Sequence, residues 1–200
     1  VRRIGIILPA ASDDAVFQTL LAAFQQALEQ LGWIIGRNVR IDTRWATPNP
    51  AEIRRKATEL AGSNPDVILA HGSSTVGPLL QATRAVPIVF PVATDPVGAG
   101  YIDSLARPGG NATGFTTTEY SMSGKWLELL KEIAPKVARV AVLRNTATPS
   151  GAGQFGVIQS VAASLGVEVI AVNAREAGEF ERAITTTVRS PSGGLIVTSG

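Results

Sequence analysis

The chain has 200 residues, 45% of them hydrophobic and 17% charged, so it can bury a core and lacks the composition of a disordered protein. Its formal net charge is only +2, and its basic residues (Arg2-Arg3, Arg54-Arg55-Lys56, Lys136 to Arg139) form no stripe with interleaved aromatics, which argues against a nucleic-acid partner. There is no cysteine, which excludes disulfides, thiolate nucleophiles and cysteine metal sites, and no apolar run approaches the roughly 20 residues needed to span a bilayer.

No signal peptide is visible, yet Val1-Arg2-Arg3-Ile4 leads straight into a strand, so we expect a segment upstream. The run 4–8 is apolar and ends at Pro9, as a buried strand would. A helix over 14–31 follows, with Val16, Leu20, Leu21, Phe24, Leu28 and Leu31 at helical spacing, Ser12 or Asp13 as cap and Gly32 as its end. Residues 39–45 alternate as a half-buried strand. Asn49 and Pro50 then open a helix over 50–61, as cap and first-turn proline. A strand at 67–70, a helix at 75–84 and a strand at 88–90 complete a β-α-β-α-β-α-β series. That order implies a parallel sheet with helices on both faces.

Residues 91–118 break the rhythm. Pro91, Pro96, Gly98, Gly100, Pro108, Gly109, Gly110 and Gly114 leave no room for a helix of normal length, and the stretch reads as a domain boundary. Alternation resumes with a helix at 122–133 (Trp126, Leu129, Leu130 and Ile133 on one face) and a strand at 137–143. A helix at 153–165, a strand at 167–172, a helix at 176–188 and a strand at 195–197 follow. We therefore expect an N-terminal α/β lobe over 1–115 and a second α/β lobe over 116–200. The second sheet stops just after a strand, so this lobe reads as incomplete.

In open parallel sheets ligands bind at the carboxyl ends of the strands, where loops and helix starts converge. That rule selects Pro9 to Asp13, His71 to Thr75 and Val92 to Asp95 in the first lobe. In the second lobe it selects Asn145 to Gly151 and Thr198 to Gly200. Ser73, Ser74 and Thr75 fall at a helix start, where open N–H groups and hydroxyls suit a carboxylate or another anion. Helix capping accounts for any one of these residues; several polar loops on one edge point to a site.

His71 is the only histidine. With no second histidine, no cysteine and no carboxylate pair at ligand spacing, it reads as structural or peripheral, and no metal or cofactor is expected. No G-x-G-x-x-G follows the first strand, and neither a G-x-x-x-x-G-K-[ST] loop nor a G-x-S-x-G elbow occurs. The chain is read as a non-enzyme. Asn111-Ala112-Thr113 matches a glycosylation sequon, a match too short to carry weight.

The block Pro91-Val92-Ala93-Thr94-Asp95-Pro96-Val97-Gly98-Ala99-Gly100, followed by Leu105-Ala106-Arg107-Pro108-Gly109-Gly110-Asn111-Ala112-Thr113-Gly114, resembles the bacterial ABC transporter substrate-binding family that includes tryptophan-binding lipoproteins. Ile4-Gly5-Ile6, Leu31-Gly32 with Gly36-Arg37-Asn38-Val39-Arg40-Ile41, Pro65-Asp66-Val67-Ile68-Leu69-Ala70 and Val86-Pro87-Ile88-Val89-Phe90 extend the likeness over nearly the whole chain. The resemblance implies a type I periplasmic-binding-protein fold: two doubly wound parallel-sheet lobes, a hinge and a ligand cleft. Members are longer, which implies that the C-terminal part is missing here.

Carried over by position, Ser73 and Ser74 match the polar pair expected to hold a ligand carboxylate. Thr94 and Asp95 match the cleft side of the signature block, and Asn145 the asparagine after the first strand of the second lobe. Ser12 and Asp13 join by topology. Relatives carry an Asn-Pro turn where this chain has Asn145-Thr146. The function implied is capture of a small carboxylate-bearing ligand, an amino acid and an aromatic one as the leading guess, by lobe closure. The protein would act as a monomer in the periplasm or elsewhere outside the cytoplasm, lipid-anchored or not, and serve a membrane ABC permease. The rival with the same fold, the effector domain of a transcription regulator, should carry an N-terminal DNA-binding region.

Overall fold

The computed structural model describes residues 1–146, 148–173, 178, 181, 182, 185, 186 and 190–199. Contacts divide the chain into two compact units, Val1–Thr116 and Thr117–Gly200.

The first unit runs β1 (Arg2–Leu8), α1 (Ala15–Gln30), β2 (Val39–Trp45), α2 (Pro50–Gly62), β3 (Val67–Ala70), α3 (Ser73–Ala82), β4 (Ile88–Thr94) and β5 (Ala112–Thr118). Its sheet has the order β2-β1-β3-β4-β5, and β1 pairs in parallel with both β2 and β3, as β3 does with β4. The step from β1 to β2 runs one way across the sheet; the steps from β2 to β3 and from β3 to β4 run the other way. Right-handed crossovers therefore place α1 on one face and α2 with α3 on the opposite face. Ile7, Ile68, Ala70, Ile88 and Phe90 join Ile53, Leu60, Val76 and Leu79 in one core against α2 and α3. Ile6 and Leu8, on the alternate face, are buried as well. A central parallel strand covered on both faces must read as an unbroken apolar run, which is why Ile6-Ile7-Leu8 does.

Several boundaries differ from expectation, each for a local reason. The cap of α1 is Asp14, not Ser12 or Asp13: its carboxylate accepts the N–H groups of Val16 (2.9 Å) and Phe17 (3.1 Å). The inward stripe of α1 is Phe17, Leu21, Phe24 and Leu28, all half-buried, while Val16, Leu20 and Leu31 are exposed. Both stripes have helical spacing; only packing separates them. Helix α3 begins two residues earlier than expected, and β5 appears in a segment without an apolar pattern.

The second unit runs α4 (Met122–Ile133), β6 (Arg139–Leu143), α5 (Pro149–Ala162), β7 (Glu168–Val172) and β8 (Gly193–Val197). Its sheet has the order β7-β6-β8, with both pairs parallel. Val140 and Val142 of central β6 pack with Leu127, Ile158, Ala162 and Ile196. Leu127 is the buried anchor of α4, with Trp126 and Leu130 beside it; Leu129 and Ile133, expected on the inner face, are exposed. The helix expected at 176–188 lies for the most part outside the described residues. Among the described residues no helix is long and apolar enough to cross a membrane.

Candidate functional site

The parallel strands of the first unit bring their carboxyl ends to one edge, and the loops there gather most of the expected residues. Ser12 and Asp13 lie exposed between β1 and α1. Gln18 ties this loop back by donating from Nε2 to the Ser12 carbonyl at 2.5 Å.

After β3 the chain turns at Gly72, which has φ 82° and serves as the N-cap of α3. Glycine reaches this φ at little steric cost and offers the helix no side-chain acceptor. In the same unit α1 is capped by Asp14 and α2 by Asn49, so α3 differs in leaving its first N–H groups without a side-chain cap. Four N–H groups at a helix start have no intrahelical carbonyl to bond.

The residues around this helix start divide into two roles. Ser73 is buried, at 5% exposure, and its Oγ accepts the N–H of Thr94 at 3.0 Å, while its carbonyl accepts the Tyr101 hydroxyl at 2.9 Å. The Thr75 hydroxyl lies 3.0 Å from the carbonyls of both His71 and Gly72. These bonds fasten the start of α3 to the ends of β3 and β4. Ser74 is half-buried, and its hydroxyl makes no hydrogen bond among the described residues.

Thr94 closes β4 and is itself buried. Asp95 follows at φ 42° and turns its carboxylate onto the Gly98 N–H at 2.7 Å. Its backbone carbonyl accepts from Ala99 at 2.8 Å. After β4 the block that carries the family resemblance thus makes a tight turn over Asp95 to Gly100, and Tyr101 directly after it returns to hold Ser73.

Sequence reasoning missed Phe17 and Tyr101, and it set His71 aside. The Phe17 and His71 rings meet edge to face, with centroids 4.9 Å apart and planes at 68°. Burial holds the imidazole below its ordinary pKa of 6.5. Unfolding exposes the group and lets it take up a proton more readily, so the unfolded state gains protons first as pH falls. His71 therefore contributes stability that is complete above about pH 6.5 and is lost as pH falls through and below that value. The expected result is a lower Tm at pH 5.5 than at pH 7.5 by scanning calorimetry, with a smaller difference in His71→Gln. The Asp66 and Glu52 carboxyls, both held below their ordinary values by hydrogen bonds, titrate outside this window.

In the second unit Asn145 is exposed after β6, and the start of α5 packs on it: a Cβ at Gly151 would lie 2.3 Å from its carbonyl oxygen. Gln154, four residues after Ser150 on the same helical face, accepts the N–H and hydroxyl of Ser199 through Oε1, at 2.9 and 3.0 Å. Among the described residues, the Thr148 and Ser150 hydroxyls and the Gln154 Nε2 are buried without a hydrogen-bond partner. The loops selected from the sequence carry Thr148, Ser150 and Ser199, whereas Gln154 joins them only through its burial inside α5. Among the described residues no group of three or more His, Cys, Asp or Glu is placed to hold a metal.

Known proteins share both the sequence and the fold. The chain is 31% identical over 182 residues to a tyrosine-binding protein of Clostridioides difficile, covering 88% of this chain and 52% of that protein. It superposes on an ABC domain from Streptococcus pneumonia in complex with L-Trp with a TM-score of 0.76, at 20% identity, covering 98% of this chain and 64% of the other. A periplasmic binding protein of Burkholderia mallei matches with a TM-score of 0.67 at 15% identity, covering 100% and 53%. The fold is that of the type I periplasmic binding proteins, and the chain spans about half the length of the curated relative. Residues 4–199 match the model of the ABC transporter substrate binding proteins, and the chain belongs to that family.

Proposed function

We propose that this chain is the solute-binding part of an ABC importer, working outside the cytoplasm as a monomer that delivers a small carboxylate-bearing ligand to a membrane permease. The observation that carries the reading is the start of α3. Gly72 caps it without a side chain, Ser74 adds a hydroxyl that makes no bond within the described residues, and the helix dipole favours negative charge there. Ser73, Thr75 and Thr94 position that helix start. Exposed Asp13 is the candidate partner for a ligand ammonium group. Relatives that bind tyrosine and L-Trp support an amino acid as the ligand.

Titration calorimetry of the protein carrying this chain tests the reading with L-tyrosine, L-tryptophan and L-leucine, each paired with its carboxamide. At least one free acid should bind, and its amide at least about tenfold more weakly, as befits loss of a charge-assisted contact. Absence of binding by all three acids, or equal affinity for acid and amide, would overturn it.

A further inference from the structure

The strand order places a topological switch point between β1 and β3: the chain leaves β1 toward α1 on one face of the sheet and leaves β3 toward α3 on the other. In open α/β sheets ligands settle at such a point, outside the carboxyl ends of the strands, where the two loops part. Phe17, in the first turn of α1, and His71, directly after β3, stand on opposite sides of that parting, and their rings meet across it at 4.9 Å. Both are half-buried, so each keeps part of its surface open.

We propose that Phe17 and His71 form the specificity-determining wall of the ligand site, against which the ring of an aromatic carboxylate packs. This inference rests on the carboxylate reading above and adds the ligand's other end. His71 precedes Ser74 by three residues, so their Cα atoms are at most about 11 Å apart. A compact aromatic acid with its carboxylate at the start of α3 can therefore reach the pair with its ring. Edge-to-face and offset stacking contacts give such a ring a preference that an aliphatic side chain does not share. Burial favours the uncharged imidazole, so a ligand ring can cover His71 without stripping water from a cation. Phe17 comes from α1, whose inward stripe is only half-buried.

The test uses the protein carrying this chain, with L-tyrosine and 3,4-dihydroxybenzoate as aromatic carboxylates and L-leucine as the aliphatic control. His71 is the only histidine here, so the carbon-bound protons of its imidazole give an NMR probe assignable by loss in His71→Gln. We expect an aromatic carboxylate to bind and to move the His71 signals by its ring current, while L-leucine moves them little. Phe17→Leu should weaken aromatic binding at least about tenfold and change L-leucine affinity by less than about twofold. Phe17→Tyr should retain aromatic binding; circular dichroism checks that each variant folds, and should Phe17→Leu not fold, His71→Gln and Phe17→Tyr carry the comparison. Aromatic binding that leaves the His71 signals in place, or a variant that weakens aromatic and aliphatic ligands alike, overturns the wall while the carboxylate reading stands. Failure of every carboxylate to bind the folded wild-type protein overturns both.

Discussion

Ser74→Asp will abolish the proposed carboxylate capture and leave the fold intact. Ser74 lies in the first turn of α3, where the N-cap is Gly72 and provides no side-chain cap bond. An aspartate there puts a fixed negative charge where the ligand's carboxylate is proposed to sit, and like charges brought together cost several kcal/mol. Affinity should fall by more than about 100-fold, about 3 kcal/mol, in the calorimetric titration. The same charge interacts favourably with the helix dipole, by about 0.3–1 kcal/mol, so Tm should hold or rise slightly. A variant that merely damaged the fold would lose both. Wild-type affinity in a stable Ser74→Asp protein would remove the ligand carboxylate from α3.

The order of elements was legible because each rests on a local signal. Asn49-Pro50 opens α2 with a cap and a first-turn proline, and Ile6-Ile7-Leu8 reads as buried on both faces because it is. What packing decides was not legible. Val16 and Leu20 share helical spacing with Leu28 as fairly as Phe17 and Leu21 do, and the sheet selects the second set. The site was visible as loops but not as roles. Ser73 and Ser74 are neighbours of the same type, yet Ser73 turns inward to bind the Thr94 N–H and Ser74 does not. Asp95 reads as a cleft-side residue, and what the sequence does not show is that its carboxylate also accepts the Gly98 N–H and shapes a turn. Phe17 and His71 come from segments far apart in sequence and meet only because the sheet reverses its direction of growth between β1 and β3.

The same dependence on partners governs β5, whose residues Ala112-Thr113-Gly114-Phe115-Thr116-Thr117-Thr118 show little apolar alternation. The strand holds its place beside β4 partly because Gly114 has no side chain. A Cβ there would stand 2.0 Å from the Phe90 carbonyl oxygen and 2.4 Å from its ring. Phe90 is fully buried in the core, and the nearest atom is backbone, so no rotamer change relieves the clash. Gly114→Ala must push β5 away from β4 or shift Phe90 within a close-packed interior, at a cost of about 3 kcal/mol or more. In a unit of this size that lowers Tm by more than about 10 °C, measurable by calorimetry or circular dichroism. Gly62→Ala in α2 is the matched control: its Cβ would meet nothing within 4 Å, and a helical alanine should stabilise by about 0.5–1 kcal/mol. Because β4 ends at Thr94, which holds Ser73, loosening the β4–β5 pairing should also weaken ligand capture before the unit unfolds. A Gly114→Ala protein as stable as wild type would mean that β5 does not lie against Phe90 as closely as the fold requires.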